Sequence, residues 1–188
     1  MKRSLLIIFL TGFIPGVATG LEQAPQMEES KQAIASFAGA LKSELVSAMQ
    51  NGGATEAIEV CNTRAGAISK EVSIKYSMQL TRTSQRYRNP QNAPNDWQSE
   101  VLQSFEDRKR AGEAVKTLAW SETIETESGK EFRFMKAIPT AGMCLQCHGA
   151  AIAPAVSAKL ASLYPEDKAT GFNQGDLRGA FVVTRQLD

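Results

Sequence analysis

The spacing of apolar positions predicts that the chain begins with helices. Apolar side chains recur every three or four residues over 30–51 and again over 55–72, with the pair Gly52-Gly53 between the two runs. This spacing is the period of an α-helix, and paired glycines interrupt helices. A third run with the same period covers residues 97–105. We therefore predict two scaffold helices, the first beginning at Ser30, and a third helix that ends near residue 112.

The later part of the chain has the pattern of strands. Two runs, 115–125 and 131–138, are rich in β-branched and aromatic residues, and the turn sequence Ser128-Gly129 separates them. This arrangement predicts an antiparallel hairpin. Helices followed by antiparallel strands predict an α+β domain. Further predicted elements are a short strand over 76–83, a helix over 154–164 and a last strand over 177–184.

The strongest chemical signal is the sequence Cys144-Leu145-Gln146-Cys147-His148. Two cysteines separated by two residues, with a histidine directly after the second, have the spacing that attaches a c-type haem. The two thiols add to the vinyl groups of the porphyrin, and the adjacent imidazole reaches the iron. The sequence therefore predicts one covalent haem c on Cys144 and Cys147, with His148 as an axial ligand of the iron.

Two other kinds of site use a pair of cysteines at this spacing. A thiol redox pair would leave the adjacent His148 without a role. A zinc site is arithmetically possible because the chain has three cysteines and one histidine. However, Cys147 and His148 are neighbours, and neighbouring side chains rarely converge on one tetrahedral ion. The motif favours haem over both.

The first residues have the organisation of an export signal. Lys2 and Arg3 precede an apolar stretch, which is followed by small residues up to Gly20. The apolar stretch is too short for a membrane span, so we expect a signal over residues 1–20 and not an uncleaved anchor. A flexible leader over 21–29 and a single haem-binding domain over 30–188 are expected to follow. Export fits the motif, because bacteria attach c-type haem after secretion, and it predicts a periplasmic protein.

The charge balance of the chain indicates which classes of binding partner to expect. The chain has 21 basic and 20 acidic residues, and loss of Lys2 and Arg3 with the signal would leave 19 basic residues. A nearly neutral chain gives no electrostatic reason to expect nucleic acid or an anionic membrane as partner. The expected partner is an unidentified redox or signalling protein.

The single histidine restricts the second axial position of the iron. Methionine, cysteine, lysine, water or no ligand remain for that position. Met143 adjoins the motif, whereas Met78 and Met135 lie on strand-like runs, where a role in the core is expected. Cys61 is the better candidate, because it would otherwise be an unpaired thiol in an oxidising compartment. The alternative for Cys61 is an inert cysteine in the core.

Three arginines are candidates for contacts with the haem propionates. Arg82, Arg86 and Arg88 lie in one turn-rich stretch. Propionates that are not fully solvated need cationic or hydrogen-bonding partners, and guanidinium groups match carboxylates well. For each arginine taken singly, a solvated basic loop is the alternative.

Four motifs in the same order resemble a known family. They are Glu59-Val60-Cys61-Asn62, the stretch 82–90, the haem motif, and the segment 164–180. The chain resembles exported single-haem c-type proteins with a PAS-like fold, long classed as a domain of unknown function. The resemblance implies a PAS-like antiparallel sheet. It also implies axial ligation by His148 on one side of the iron and by Cys61 on the other.

These observations predict a cytochrome that transfers electrons at low potential, because a thiolate opposite an imidazole stabilises ferric iron. The alternative is a redox or gas sensor for CO or NO that acts through a partner protein, with Cys61 leaving the iron on reduction. An enzyme is not expected. A peroxidase needs an open iron position and distal acid-base residues, and the single histidine is assigned to the iron.

Overall fold

The computed structural model describes residues 23–187 and contains helices around one antiparallel sheet. The predicted α+β class is confirmed. The predicted export signal, residues 1–20, lies outside the described residues. Between residues 23 and 187, no helix is long and apolar enough to cross a membrane. The elements are α1 Ala24–Lys75, β1 Gln79–Thr83, α2 Asp96–Arg110, β2 Ala119–Thr126, β3 Gly129–Pro139, α3 Leu145–His148, α4 Pro154–Leu163 and β4 Leu177–Leu187, with 3-10 turns at Pro90–Asn92, Val115–Thr117 and Gly142–Cys144.

Helix α1 consists of two arms that reverse direction at Gly53. Gly53 has φ of 72° and ψ of −162°, a conformation that glycine adopts without steric cost. After this point the chain returns along the first arm, so that Arg64 Nε lies 3.2 Å from Glu44 Oε1. Ile34 of the first arm and Ile68 of the second belong to the same buried cluster. The two predicted helices therefore form an antiparallel hairpin.

The first arm begins earlier than the sequence pattern predicted. The expected flexible leader over residues 21–29 is wrong for the described part, because the helix begins at Ala24. Pro25 lies in the first turn, where its missing N–H is no loss. Met27 packs against the core, two helical turns before Ile34 and therefore on the same face. Burial of this methionine stabilises the first turns of the helix.

The sheet has the strand order β1-β4-β3-β2, and all pairs are antiparallel. Both of its faces are covered. Phe132 and Phe134 of β3 pack with the helical hairpin, whereas Met135 packs with α2. The neighbours Val182 and Val183 of β4 belong to these two opposite cores, as expected from the alternation of side chains along a strand. The predicted hairpin of β2 and β3 is confirmed.

A close approach between two strands forms one end of the sheet. Gly179 near the start of β4 has φ of 151°, and a Cβ at this position would lie 2.3 Å from the carbonyl oxygen of Thr83 and 3.0 Å from Cβ of Ser84. Ser84 Oγ donates a hydrogen bond of 2.8 Å to the carbonyl oxygen of Arg178. Because no side chain fits here, glycine sets the distance between the end of β1 and the start of β4.

We predict that Gly179→Ala lowers the free energy of unfolding by about 2 kcal/mol, since the new methyl group would overlap a backbone oxygen. Urea unfolding followed by circular dichroism measures this change. Gly39→Ala is the matched control, because Gly39 is exposed in α1 with no atom within 4 Å of its added Cβ. It should raise the same free energy by about 0.5–1 kcal/mol. Equal stability of Gly179→Ala and the native chain would contradict the prediction.

Candidate haem site

A cavity of about 490 Å³ opens at the end of the sheet where Gly179 lies. Its walls are the second arm of α1, strand β1 with the loop after it, the end of β3 and the segment that carries the cysteine motif. Cys61, Cys144 and His148 all line this cavity. Its volume is within the range of cofactor pockets. The fold thus brings together site residues that are far apart in the sequence.

A small apolar cluster holds the motif against the helical hairpin. Ile58 of α1 packs with Val156 of α4 and with Tyr164, and Cys147 packs against the same cluster. Ile58 lies about one helical turn before Cys61. The cluster therefore positions the turn that carries Cys61 beside the motif.

His148 is held as a neutral imidazole. Its Nδ1 lies 2.7 Å from the carbonyl oxygen of Ala169. A carbonyl only accepts, so Nδ1 carries the proton and Nε2 keeps its lone pair. Burial, followed by the nearby Arg178 and Arg88, lowers the pKa of His148 to about 2. Phe172 packs edge-on against the ring, with centroids 6.2 Å apart. Nε2 is therefore free to bind a metal at neutral pH.

Arg88 and Asp167 form a largely buried ion pair next to His148. Arg88 Nε lies 3.1 Å from Asp167 Oδ2, and the two side chains are 12% and 10% exposed. Arg88 Nη2 donates to the carbonyl oxygens of Cys147 at 2.5 Å and of Ala169 at 3.3 Å. Arg88 also lines the cavity. Arg88, which was predicted to contact a propionate, therefore already binds a carboxylate and two carbonyl oxygens of the protein.

Arg82 and Arg178 also line the cavity. Among residues 23–187, no carboxylate oxygen lies within 4.0 Å of either guanidinium group. Burial lowers the pKa of Arg82. Burial, together with Arg88 and Arg82, lowers that of Arg178 to about 10. Arg86, the third predicted contact, is exposed and is not a lining residue; its guanidinium lies 3.8 Å from the ring centroid of Phe172.

Cys61 lies half-buried on the second arm of α1 and faces the cavity. Burial raises the pKa of its thiol, and Arg82 and Arg88 act in the opposite direction. Tyr164 packs with Ile58, one helical turn before Cys61. Tyr164 thereby ties the Cys61 turn to the chain segment after α4. The cavity places the thiol next to cations that would favour its thiolate form.

The other sulfur ligands considered from the sequence lie elsewhere. Met78 and Met135 are buried in the core, with exposures of 6% and 0%, and Met143 is 46% exposed. Of the described residues that line the cavity, none is a methionine. Over the same residues, no three His, Cys, Asp or Glu side chains form a group that could hold a bare metal ion. Cys61 thus lines the cavity, whereas these three methionines do not.

Comparison with known proteins identifies the family. Residues 21–185 match the sequence model of the Tll0287-like family. The chain belongs to the Tll0287-like family. Its structure is similar to the crystal structure of the cyanobacterial heme-protein Tll0287, with a TM-score of 0.62 and 24% identity over 91% of this chain and 98% of that chain. At this identity the likeness shows a common fold. No curated protein sequence matches the chain.

Three residues of this Tll0287-like site were not singled out from the sequence. Ala169 acts through its backbone carbonyl oxygen, a group that every residue has, so the residue type does not indicate this role. Asp167 acts through Arg88 and the backbone of Ala169, so that its role depends on the fold. Arg178 directly precedes Gly179, but only the pairing of β1 with β4 brings it to the same cavity as Arg82.

We predict that the chain without haem loses stability as the pH falls below about 6.5. The unfolded imidazole binds a proton near that pH, whereas folded His148 binds one only near pH 2. Between these values the unfolded state holds more protons, so the free energy of unfolding decreases by up to about 1.4 kcal/mol per pH unit. Urea unfolding at pH 7, 6 and 5 measures how the free energy of unfolding changes with pH, in a range above the pKa of most carboxylates. His148→Gln should show a smaller slope, and equal slopes would contradict the prediction.

Proposed function

We propose that this Tll0287-like chain is an exported monohaem c-type cytochrome that transfers electrons at low potential. The observation that carries the proposal is that Cys61, Cys144 and His148 line one cavity. Cys144 and Cys147 would hold the haem as thioethers, and His148 and Cys61 would be its axial ligands. The shared fold with a protein described as a heme-protein supports this assignment.

The residues of the cavity fit a haem in two further respects. His148 offers an unprotonated Nε2, because its other nitrogen donates to a carbonyl. Arg82 and Arg178 offer positive charge that is not paired with a carboxylate within residues 23–187, which matches two propionates. Arg88 is paired with the carboxylate of Asp167, whereas Arg178 donates to the backbone carbonyl of Arg86 at 3.3 Å. Arg86 stacks outside the cavity on Phe172. Arg82 and Arg178 are therefore the better propionate contacts.

When bound, the haem would supply one-electron chemistry at its iron. The chain would contribute orientation, charge and exclusion of water. The carbonyl of Ala169 fixes the tautomer and the direction of the His148 ring. A Cys61 thiolate beside Arg82 would stabilise the ferric state and lower the reduction potential. Peroxidase chemistry has no spare imidazole to support it, since the chain has a single histidine.

The remaining parts of the proposal concern fold type, compartment and partner. We assign the four-stranded sheet to the PAS-like type on the basis of the family motifs. Removal of a signal over residues 1–20 would leave the domain in the periplasm. There its partner would be a redox protein, since neither nucleic acid nor a membrane surface is favoured by the charge balance.

We predict that the exported chain, produced together with a c-type haem attachment system, carries one haem that survives denaturation. Haem staining of a denaturing gel and the intact mass measure the attachment. Cys144→Ala and Cys147→Ala should each lose one thioether and shift the absorption of the reduced protein. Cys61→Ala is the matched control and should keep the covalent haem. A native chain without covalent haem would contradict the proposed function.

We predict that Cys61→Ser raises the reduction potential and changes the ferric absorption and EPR spectra, because serine replaces thiolate by a weaker ligand. Met78→Leu, at a buried core position, should leave both spectra unchanged. An unchanged ferric spectrum of Cys61→Ser would remove Cys61 as a ligand.

The second candidate function is a redox or gas sensor that acts through a partner. It is favoured by the burial of Cys61, which raises the pKa of the thiol and so favours a protonated sulfur that binds iron weakly. Release of this ligand on reduction would open a position for CO or NO. Addition of CO to the reduced protein separates the two functions, because an electron carrier that stays six-coordinate does not bind it.

A further inference from the structure

The carbonyl oxygen of Ala169 has two donors. His148 Nδ1 lies 2.7 Å from this oxygen, and Arg88 Nη2 lies 3.3 Å from it. Ala169 itself is fully buried. A carbonyl oxygen has two lone pairs and accommodates both donors. A cation at this distance in a buried site also draws electron density from the oxygen. The bond from His148 is therefore weaker than it would be with Ala169 alone.

Asp167 binds both the guanidinium of Arg88 and the backbone N–H of Ala169. Its Oδ2 pairs with Arg88 Nε at 3.1 Å, and its Oδ1 accepts the N–H of Ala169 at 2.7 Å. The same carboxylate thus fixes the guanidinium and the peptide that carries the shared oxygen. It also balances the buried positive charge, since a lone buried cation is costly. Arg88 and Asp167 therefore act on the carbonyl with opposite charges.

Two backbone bonds hold the same loop independently of Arg88. Gly171 N donates to the carbonyl oxygen of Gly149 at 2.8 Å, and Phe172 N donates to that of His148 at 2.9 Å. These bonds keep the loop beside the motif when the arginine side chain is replaced. The electronic role of Arg88 is thus separable from a role in holding the loop.

We propose that Arg88 and Asp167 are positioning residues that set the reduction potential of the iron through the carbonyl of Ala169. The proposal rests on the proposed ligation of haem by His148. A strong acceptor at Nδ1–H gives the imidazole anionic character and stabilises ferric iron. Arg88 weakens this acceptor and raises the potential, and Asp167 limits the effect of the cation. This role differs from the propionate contact expected for Arg88 from the sequence.

The test measures reduction potentials of the haem-loaded chain by spectroelectrochemistry. Arg88→Met should lower the potential, because Ala169 then accepts from His148 alone. Arg88→Lys should fall between Arg88→Met and the native chain. Asp167→Asn should raise the potential, since asparagine keeps an acceptor for the Ala169 N–H and leaves the cation unbalanced. Arg133→Met is the matched control, as Arg133 is a 19% exposed arginine paired with Glu131 on β3, and should leave the potential unchanged.

A second readout follows the hydrogen bond itself. With ¹⁵N-labelled histidine the single imidazole gives the only labelled ring, and the reduced protein under CO is diamagnetic whether the iron holds CO or Cys61. The Nδ1–H proton should move to lower field in Arg88→Met, as the bond to Ala169 strengthens. Asp167→Asn should move it to higher field.

Two results would overturn the proposal. Shifts of the potential in the same direction for Arg88→Met and Asp167→Asn would indicate loosening of the site. Potential changes without movement of the Nδ1–H resonance would indicate a charge effect that does not pass through Ala169. If Arg88→Met fails to fold, Arg88→Lys and Asp167→Asn carry both measurements. Loss of covalent haem from the native chain would instead refute the proposed function, so the two failures are distinguishable.

Discussion

Burial of a single imidazole without a charge is the constraint on which the site depends. A buried N–H must have an acceptor, and His148 finds it in the backbone of a loop that follows α4. That loop has to be held against the motif, which explains the two backbone bonds from Gly171 and Phe172. It also explains why a largely buried ion pair of Arg88 and Asp167 lies beside a site whose expected ligands are neutral or anionic. The loop, its two backbone bonds and the ion pair together fix the orientation of the His148 ring.

The cavity has an excess of positive charge. Arg82, Arg88 and Arg178 line it, and among the described residues only Asp167 pairs with one of them through a carboxylate. This excess disfavours protonation of His148 and favours anionic groups near it. A thiolate and two carboxylates are such groups. Burial and these arginines together account for a neutral imidazole. The same arginines act against the effect of burial on the Cys61 thiol.

Features encoded by local patterns were predictable from the sequence. The two helical arms of α1, the strand hairpin and the cysteine motif all follow from periodicity or spacing. Cys61 was one of several candidate ligands, because one histidine leaves the second axial position open, and the family resemblance singled it out. The helix before Ser30 was missed, since one methionine in a polar segment gives a weak periodic signal. Ala169 and Arg178 could not be found in this way, because their roles arise from a loop return and a strand pairing that only the tertiary structure defines.

The strand order has a consequence for how the domain assembles. β4 comes last of the described strands, yet it lies between β1 and β3. Sheet formation must therefore wait for long-range pairing, which is slow compared with local hairpin formation. Arg178 and Gly179, which form part of the cavity wall, belong to this last strand. The cavity is therefore completed by a strand that follows the cysteine motif in the chain, and its assembly depends on the pairing of β4 with both of its neighbours.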